Sequence, residues 1–368
     1  MSNAVPTTTA DVTAEWLTAA LRESGTIPDG VAVASLDTDP AAAGVGFMGE
    51  VNTLGVTYDG DAGDAPTRMV IKFPTASPEI KAMMRPTRVY EREHRFYAEL
   101  ADATPVRTPA AYHVTCNTND DPEVDEEYVL VMEDLSDLTE GDQVAGLSVD
   151  QTASALTGLA KHHARFWNGA GMEAASFIPV IDGPLNLAGE AIYGASIDGF
   201  MQVFGEHLTD EMKPVALGYG PNHPKLLGRF SAMPHTLVHF DFRADNLFFE
   251  PGGDVVVIDW QAISKGGGAA DVGYLMGQNL EPSVRREHEQ DLLRTYHSTL
   301  EANGVSGYEF DQFFDDYRVG LMYGWVIPVF AVGSLDSSSE RAMQLWTSVI
   351  ERVQDAIFQH GAQEFIEL

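Results

Sequence analysis

Two apolar runs in the second half of the chain, LVHFDFRADNLFF at 237–249 and VVVIDW at 255–260, carry His239, Asp241, Asp245, Asn246 and Asp259 within a short span. The runs Leu247–Phe249 and Val255–Ile258 flank the turn EPGGD at 250–254 and read as an antiparallel hairpin. Pairing Phe249 with Val255 and counting back sets Asn246 opposite Ile258, one register step from Asp259. Two oxygen-bearing side chains then meet at the open end of the hairpin. That donor set suits a hard cation such as Mg2+, which takes one or two protein oxygens and completes its shell with phosphate and water. Asp241 lies in the loop before Asn246, where it could accept the proton of an attacking hydroxyl. Asp245 and Asp259, each taken alone, read as turn or strand-end carboxylates; the whole set in this order reads as a site.

A second group lies nearer the N-terminus. RMVIKF at 68–73 reads as a strand with Met69, Ile71 and Phe73 on one face and Val70 and Lys72 on the other. An ammonium that shares its face with an apolar residue needs either solvent at a strand end or a specific anion. In the helix expected over 88–101, Val89, Glu93, Phe96 and Leu100 keep helical spacing, so Glu93 interrupts an apolar stripe facing the core. A carboxylate there is costly unless paired. Lys72 is the partner the pattern favours, with Arg92 and Arg95 as the alternatives. A Lys to Glu pair that holds the ammonium toward a phosphate is a nucleotide-positioning device. GVGFMGEV at 44–51 fits G-x-G-x-x-G-x-V through Gly44, Gly46 and Gly49, which would let backbone N–H groups approach phosphates closely. Alone, this pattern reads more readily as a plain turn, because the chain holds 34 glycines. It is not a Walker loop, and strand rather than helix follows it, which disfavours a dinucleotide fold.

Composition narrows the partners. The 55 acidic against 22 basic residues give a formal charge of -33, which repels a phosphate backbone or an anionic membrane. Nucleic acid and membrane are therefore not expected partners. A hydrophobic fraction of 44%, with 18 Phe, 12 Tyr and 5 Trp, supplies a substantial core and argues against global disorder. Cys116 alone excludes a disulfide framework. The N-terminus lacks the basic and apolar regions of a secretory signal, so a cytoplasmic location is expected. The uncharged stretch Val319–Leu335 holds Gly320, Gly324, Pro328 and Gly333 and reads as a buried helix pair rather than a membrane span.

The elements that must position these residues follow from periodicity. An amphipathic helix opens the chain with Trp16, Leu17, Ala20 and Leu21 on one face, and Gly25 is its stop. Short apolar runs from 33 to 73 enclose the turn-rich YDGDAGDAP at 58–66, an antiparallel hairpin. Ser77 before Pro78 starts a helix that Pro86 interrupts. An acidic loop at 115–127 leads into YVLVM at 128–132. Beyond Asp134 the pattern turns helical, with Leu156, Leu159, Ala160, His163 and Phe166 or Trp167 at helical spacing, and only the hairpin at 246–258 interrupts it. His162 and His163 point about 100 degrees apart on a helix and read as core or surface histidines rather than ligands of one metal. Phe313, Phe314, Met322, Tyr323, Trp325 and Phe330 read as helical core, with a lesser reading in which some line an acceptor pocket. The fold class is α+β: a small antiparallel-sheet lobe over 1–134 and a larger, mainly helical lobe over 135–368.

The order glycine loop, Lys72, Glu93, apolar strand, His239-x-Asp241-x-x-x-x-Asn246 and Ile258-Asp259-Trp260 resembles the protein-kinase-like superfamily. The Asp-Trp-Gln variant resembles the aminoglycoside phosphotransferase and ecdysteroid-kinase-like branch of small-molecule kinases, over most of the chain. The resemblance implies transfer of the ATP γ-phosphate to a hydroxyl of a small acceptor, with ATP and Mg2+ as cofactors. It implies Asp241 as catalytic base and Asn246 and Asp259 as magnesium ligands. For the nucleotide it implies Gly44, Gly46, Gly49, Val70, Lys72 and Glu93, with Met132, Glu133 and Leu135 at the hinge. His239 and Asp271 match positions that brace the catalytic loop. Asp-Trp-Gln in place of Asp-Phe-Gly, with no Ala-Pro-Glu segment, argues against protein substrates. The alternatives are a nucleotide-binding pseudokinase and an aminoglycoside-modifying resistance kinase.

Overall fold

A computed structural model of the chain describes residues 5–39, 45–46, 49–117, 124–332 and 339–368. It divides into two compact units, Met1–Asp102 with Thr108–Asp137, and Ala103–Arg107 with Leu138–Leu368. The α+β class holds: the first unit is built on an antiparallel sheet and the second is mainly helical.

In the first unit, β1 (Ala32–Asp39), β3 (Gly49–Asp59), β4 (Arg68–Pro74), β6 (Glu127–Glu133) and β5 (Ala111–Asn117) lie side by side in that order, with β2 (Val45–Gly46) paired to β3. Residues alternate faces along each strand, which sorts them into two layers. Met69, Ile71 and Phe73 of β4 and Val129 and Val131 of β6 pack against Trp16, Leu17 and Leu21 of α1 (Ala14–Glu23). Tyr128, Leu130 and Met132, with Val70, pack on the opposite face against Val89 and Tyr90 of α3 (Val89–Glu99). A strand covered on both faces reads as the unbroken apolar run seen at 128–132. Ser77 caps α2 (Pro78–Met84), and the chain turns through left-handed Arg88 before α3 begins. Helix α3 is thus bounded by Val89 and Glu99 rather than by Arg88 and Ala101.

The second unit holds α4 (Val149–Arg165), α5 (Pro184–Leu187), α6 (Gly189–Phe204), α7 (Met212–Ala232), α8 (Ala269–Gln278), α9 (Pro282–Ala302), α10 (Phe310–Ala331) and α11 (Glu340–Gln359). The expected hairpin is present as β9 (Leu247–Phe249) and β10 (Val255–Val257), paired Phe249 to Val255. Three further strands depart from the expected single hairpin: β7 (Thr139–Glu140) adds to β9, and β8 (His235–Val238) pairs with β11 (Ser264–Gly267). The described part of 319–335 is also not a helix pair, because α10 runs unbroken through Pro328 to Ala331. Phe313, Met322, Tyr323 and Trp325 of α10 are core, as are His162 and His163 of α4. Among the described residues, no helix is long and apolar enough to cross a membrane.

Helix α8 is the axis of this unit, since all ten of its residues are buried. It meets α10 backbone to backbone: a Cβ added to Gly273 would lie 2.1 Å from the carbonyl carbon of Gly320. Neither backbone can yield without moving a helix. Gly273→Ala is therefore expected to cost about 3 kcal/mol in overpacking, against about 1 kcal/mol returned by the better helix propensity of Ala. A lower urea midpoint, worth a net loss of about 2 kcal/mol, is the expected result; an unchanged midpoint would mean that the two helices do not touch here.

Candidate active site

Within the first unit, β4 and α3 bring Lys72 and Glu93 together. Lys72 Nζ lies 3.0 Å from both Glu93 Oε1 and Glu93 Oε2. Tyr128 OH donates to Glu93 Oε2 at 2.7 Å, and the carboxylate side chain is 1% exposed. The strand period explains the third partner: Tyr128 sits on the same face of the sheet as Lys72, Val70 and Met132. Arg95, one alternative partner, instead pairs with Glu99 at 2.7 Å. Gly49 lies against this lysine, where an added Cβ would meet Phe73 O at 2.9 Å and Lys72 Cε at 3.4 Å. Of the other loop glycines, Gly46 belongs to β2, and Gly44 falls outside the described residues. At the end of β6, the Glu133 N–H is committed to Ala110 O at 2.9 Å, so it cannot be the donor to a base. Met132 and Leu135 are buried.

The second unit assembles the other group around one loop. Strand β8 ends at Val238, and the chain reverses through Phe240, whose φ of 69° is left-handed. The fully buried Asp271 of α8 holds this reversal. Its Oδ2 accepts from His239 N at 2.7 Å and its Oδ1 from Phe240 N at 2.8 Å. His163 Nε2 gives it a third bond at 3.2 Å, with Tyr296 OH on the other ring nitrogen at 2.7 Å. His239 Nε2 bonds to Ile258 O at 2.9 Å, and a carbonyl can only accept, so Nε2 carries the proton. Its Nδ1 is left to accept from Asp241 N at 3.3 Å. His162 bonds to Leu237 O, and burial, followed by the neighbouring His163 and His239, holds its imidazole well below the usual range. These histidines fasten β8 and its loop. From α10, Tyr323 OH donates to Phe240 O at 2.6 Å and its ring stacks on Phe240.

Asp241 and Asn246 form one unit. Asn246 Nδ2 donates at 2.9 Å to both the backbone oxygen and Oδ2 of Asp241. Tyr274 OH donates to Asp241 Oδ1 at 2.9 Å, and Arg243 Nε stands 3.4 Å from both carboxylate oxygens. Arg243 also bonds Asp245 Oδ2 at 2.8 Å and Gln143 Oε1 at 3.3 Å, while Gln143 N donates to Asp245 Oδ1 at 2.8 Å. Burial opposes the Arg243 charge, but Asp241, then Tyr274, Asp245 and Asp259, raise its pKa above the ordinary value. Ile258 N donates to Asn246 O at 3.0 Å, which fixes the register and brings Asp259 to the Asn246 end of the hairpin. Asp259 has φ 64° and ψ 65°, a left-handed conformation that Asp tolerates better than most residues and that marks a locally strained site.

Sequence reasoning quoted Arg243 without giving it a role and missed Gln143, Tyr128 and Tyr274. Tyr128 had a signal in its even spacing with Leu130 and Met132, and Tyr274 in its three-residue distance from Asp271 on one helical face. Gln143, in a loop, had none.

Both groups fit the molecules that the sequence implied. Asn246 Nδ2 is spent on Asp241, which leaves the amide oxygen beside the Asp259 end of the hairpin: a pair of hard oxygen donors. A side chain at position 49 would crowd Phe73 O and the Lys72 stem, so the backbone there comes close to the lysine.

Comparison with known proteins finds a matching family model, the ecdysteroid kinase-like family, over residues 43–304. No curated protein matches the sequence. Among solved structures, an aminoglycoside phosphotransferase-type protein of Ralstonia eutropha is 17% identical, with a TM-score of 0.51 over 97% of this chain and 99% of its own. The GDP complex of aminoglycoside 2'-phosphotransferase-IIIa is 13% identical, at 0.51 over 90% and 94%. A Plasmodium vivax ethanolamine kinase is 11% identical, at 0.51 over 89% and 84%. At these identities the structural likeness establishes the fold.

Proposed function

The chain belongs to the ecdysteroid kinase-like family and is a phosphotransferase of the kinase-like fold; from that premise we propose that it moves the γ-phosphoryl group of ATP to a hydroxyl of a small molecule. Lys72, oriented by Glu93, is assigned to the α- and β-phosphates, with the Gly49 backbone beside them. The carbonyl of Glu133 and the backbone of Leu135 are assigned to the adenine, bordered by Val70 and Met132. Asn246 Oδ1 and the Asp259 carboxylate are assigned to Mg2+, which when bound offsets phosphate charge. Asp241 orients the acceptor hydroxyl and takes its proton.

The observation that carries this reading is the double hydrogen bond from Asn246 to Asp241. It ties the proposed base and a proposed metal ligand into one rigid piece, which a protein that only binds nucleotide would not need. The GDP and kanamycin complexes of aminoglycoside phosphotransferases support a nucleotide donor and a small acceptor without naming either for this chain. A screen of small alcohols, sugars, aminoglycosides and sterols, read as ADP or GDP release from the magnesium nucleotide, tests it. Acceptor-dependent release by the wild type that falls by about a hundredfold or more in Asp241→Asn is the supporting outcome. Nucleotide binding with no release against any acceptor would leave a regulatory binder instead.

A further inference from the structure

We infer that Tyr274 is a positioning residue for the Asp241 carboxylate, setting the plane in which it meets the acceptor hydroxyl. The inference rests on the assignment of Asp241 as base and adds a residue to that site. A carboxylate held at one oxygen can still swing about its Cβ–Cγ bond; held at both, its plane is set. Asn246 supplies one anchor, at Oδ2, while Arg243 Nε stands 3.4 Å from both oxygens and favours neither. Tyr274 supplies the anchor on Oδ1, at 2.9 Å. Each oxygen thus has one close donor on it, and the two together set the plane in which the carboxylate faces an incoming hydroxyl.

The scaffold behind the phenol supports the same conclusion. Tyr274 and Asp271 lie three residues apart on α8, the helix whose residues are all buried. One helix therefore fixes the backbone of the loop through Asp271 and the side chain of Asp241 through Tyr274. The Tyr274 residue is 1% exposed, so the hydroxyl works through Asp241 and not on a substrate. Burial, then the adjacent Asp241, raises its pKa well above the ordinary value, which keeps it a neutral donor.

The test uses the full chain with MgATP and water as the acceptor, read as ADP release, with ADP binding by calorimetry as the check on folding. Two variants without a donor are compared, Tyr274→Phe and Tyr274→Met, so that either one that binds ADP suffices. Each is expected to lower kcat by roughly 10- to 100-fold, the scale of a small misplacement at a reacting centre, with KM for MgATP within about twofold of wild type. In an Asp241→Asn background the same substitutions are expected to remove nothing further from the residual rate. Wild-type turnover in a variant that binds ADP would overturn the inference, as would an equal loss in both backgrounds, which would mark a purely structural hydroxyl. If instead Asp241→Asn releases ADP as fast as wild type, it is the assignment of the base that fails, and Tyr274 with it.

Discussion

Asp241→Asn is expected to lower turnover by about three orders of magnitude while changing the dissociation constant for MgADP by no more than about threefold. General-base contributions span roughly 10²- to 10⁴-fold, and Asn cannot accept a proton at neutral pH. The structure explains why the loss would stay chemical. Asn has the shape of Asp, so one side of its amide can still accept from Asn246 Nδ2 as the carboxylate does at 2.9 Å. On the other side an amide NH2 would face Tyr274, whose hydroxyl can turn from donor to acceptor. The backbone of the loop is held separately, by Asp271 through His239 N and Phe240 N. Arg243 loses one charged neighbour but keeps Asp245 Oδ2 at 2.8 Å. The measurement is steady-state ADP release beside calorimetric MgADP binding. Wild-type turnover in the variant would remove Asp241 from the chemistry, and a parallel collapse of binding would make it a nucleotide ligand.

How much of this was legible in the chain depended on how local each signal was. The hairpin register could be counted because Leu247–Phe249 and Val255–Ile258 are contiguous and their turn is short, and the Phe249 to Val255 pair and the Ile258 to Asn246 bond lie where that count put them. Glu93 stood out because a helix stripe admits few charges, and the same stripe led to Lys72. Strands β8 and β11 left no such trace. They are four residues each, and two of the four in β11 are glycines, so neither shows an alternating pattern, and their pairing spans the hairpin between them. Tyr274 and Gln143 were missed for a related reason: their partners, Asp241 and Arg243 with Asp245, are 33 residues away or more, and nothing in the local sequence of either marks the contact. Periodicity reports which face a residue occupies; it does not report what the facing element brings to it.

The buried pair in the first unit gives the second large effect, and there stability and activity are expected to separate. Lys72→Met would leave the Glu93 carboxylate, 1% exposed, with its Tyr128 bond but without the ammonium 3.0 Å away. Breaking a buried ion pair by removing one partner costs about 3–5 kcal/mol. The remaining Tyr128 bond and the option of protonating Glu93 place this case near the lower end, about 3 kcal/mol. Adding Glu93→Gln removes the stranded charge, and the amide oxygen can still accept from Tyr128 OH. The double variant is therefore expected to be more stable than Lys72→Met alone, by about 1–2 kcal/mol in the urea midpoint. Turnover should not follow. If Lys72 contacts the phosphates, the rate falls by about 10²- to 10³-fold in the single variant, the cost of one preorganised charge donor, and stays there in the double variant. A double variant that regained its rate together with its stability would show that Lys72 serves only to neutralise Glu93, and the phosphate contact assigned to it would have to be moved to another residue.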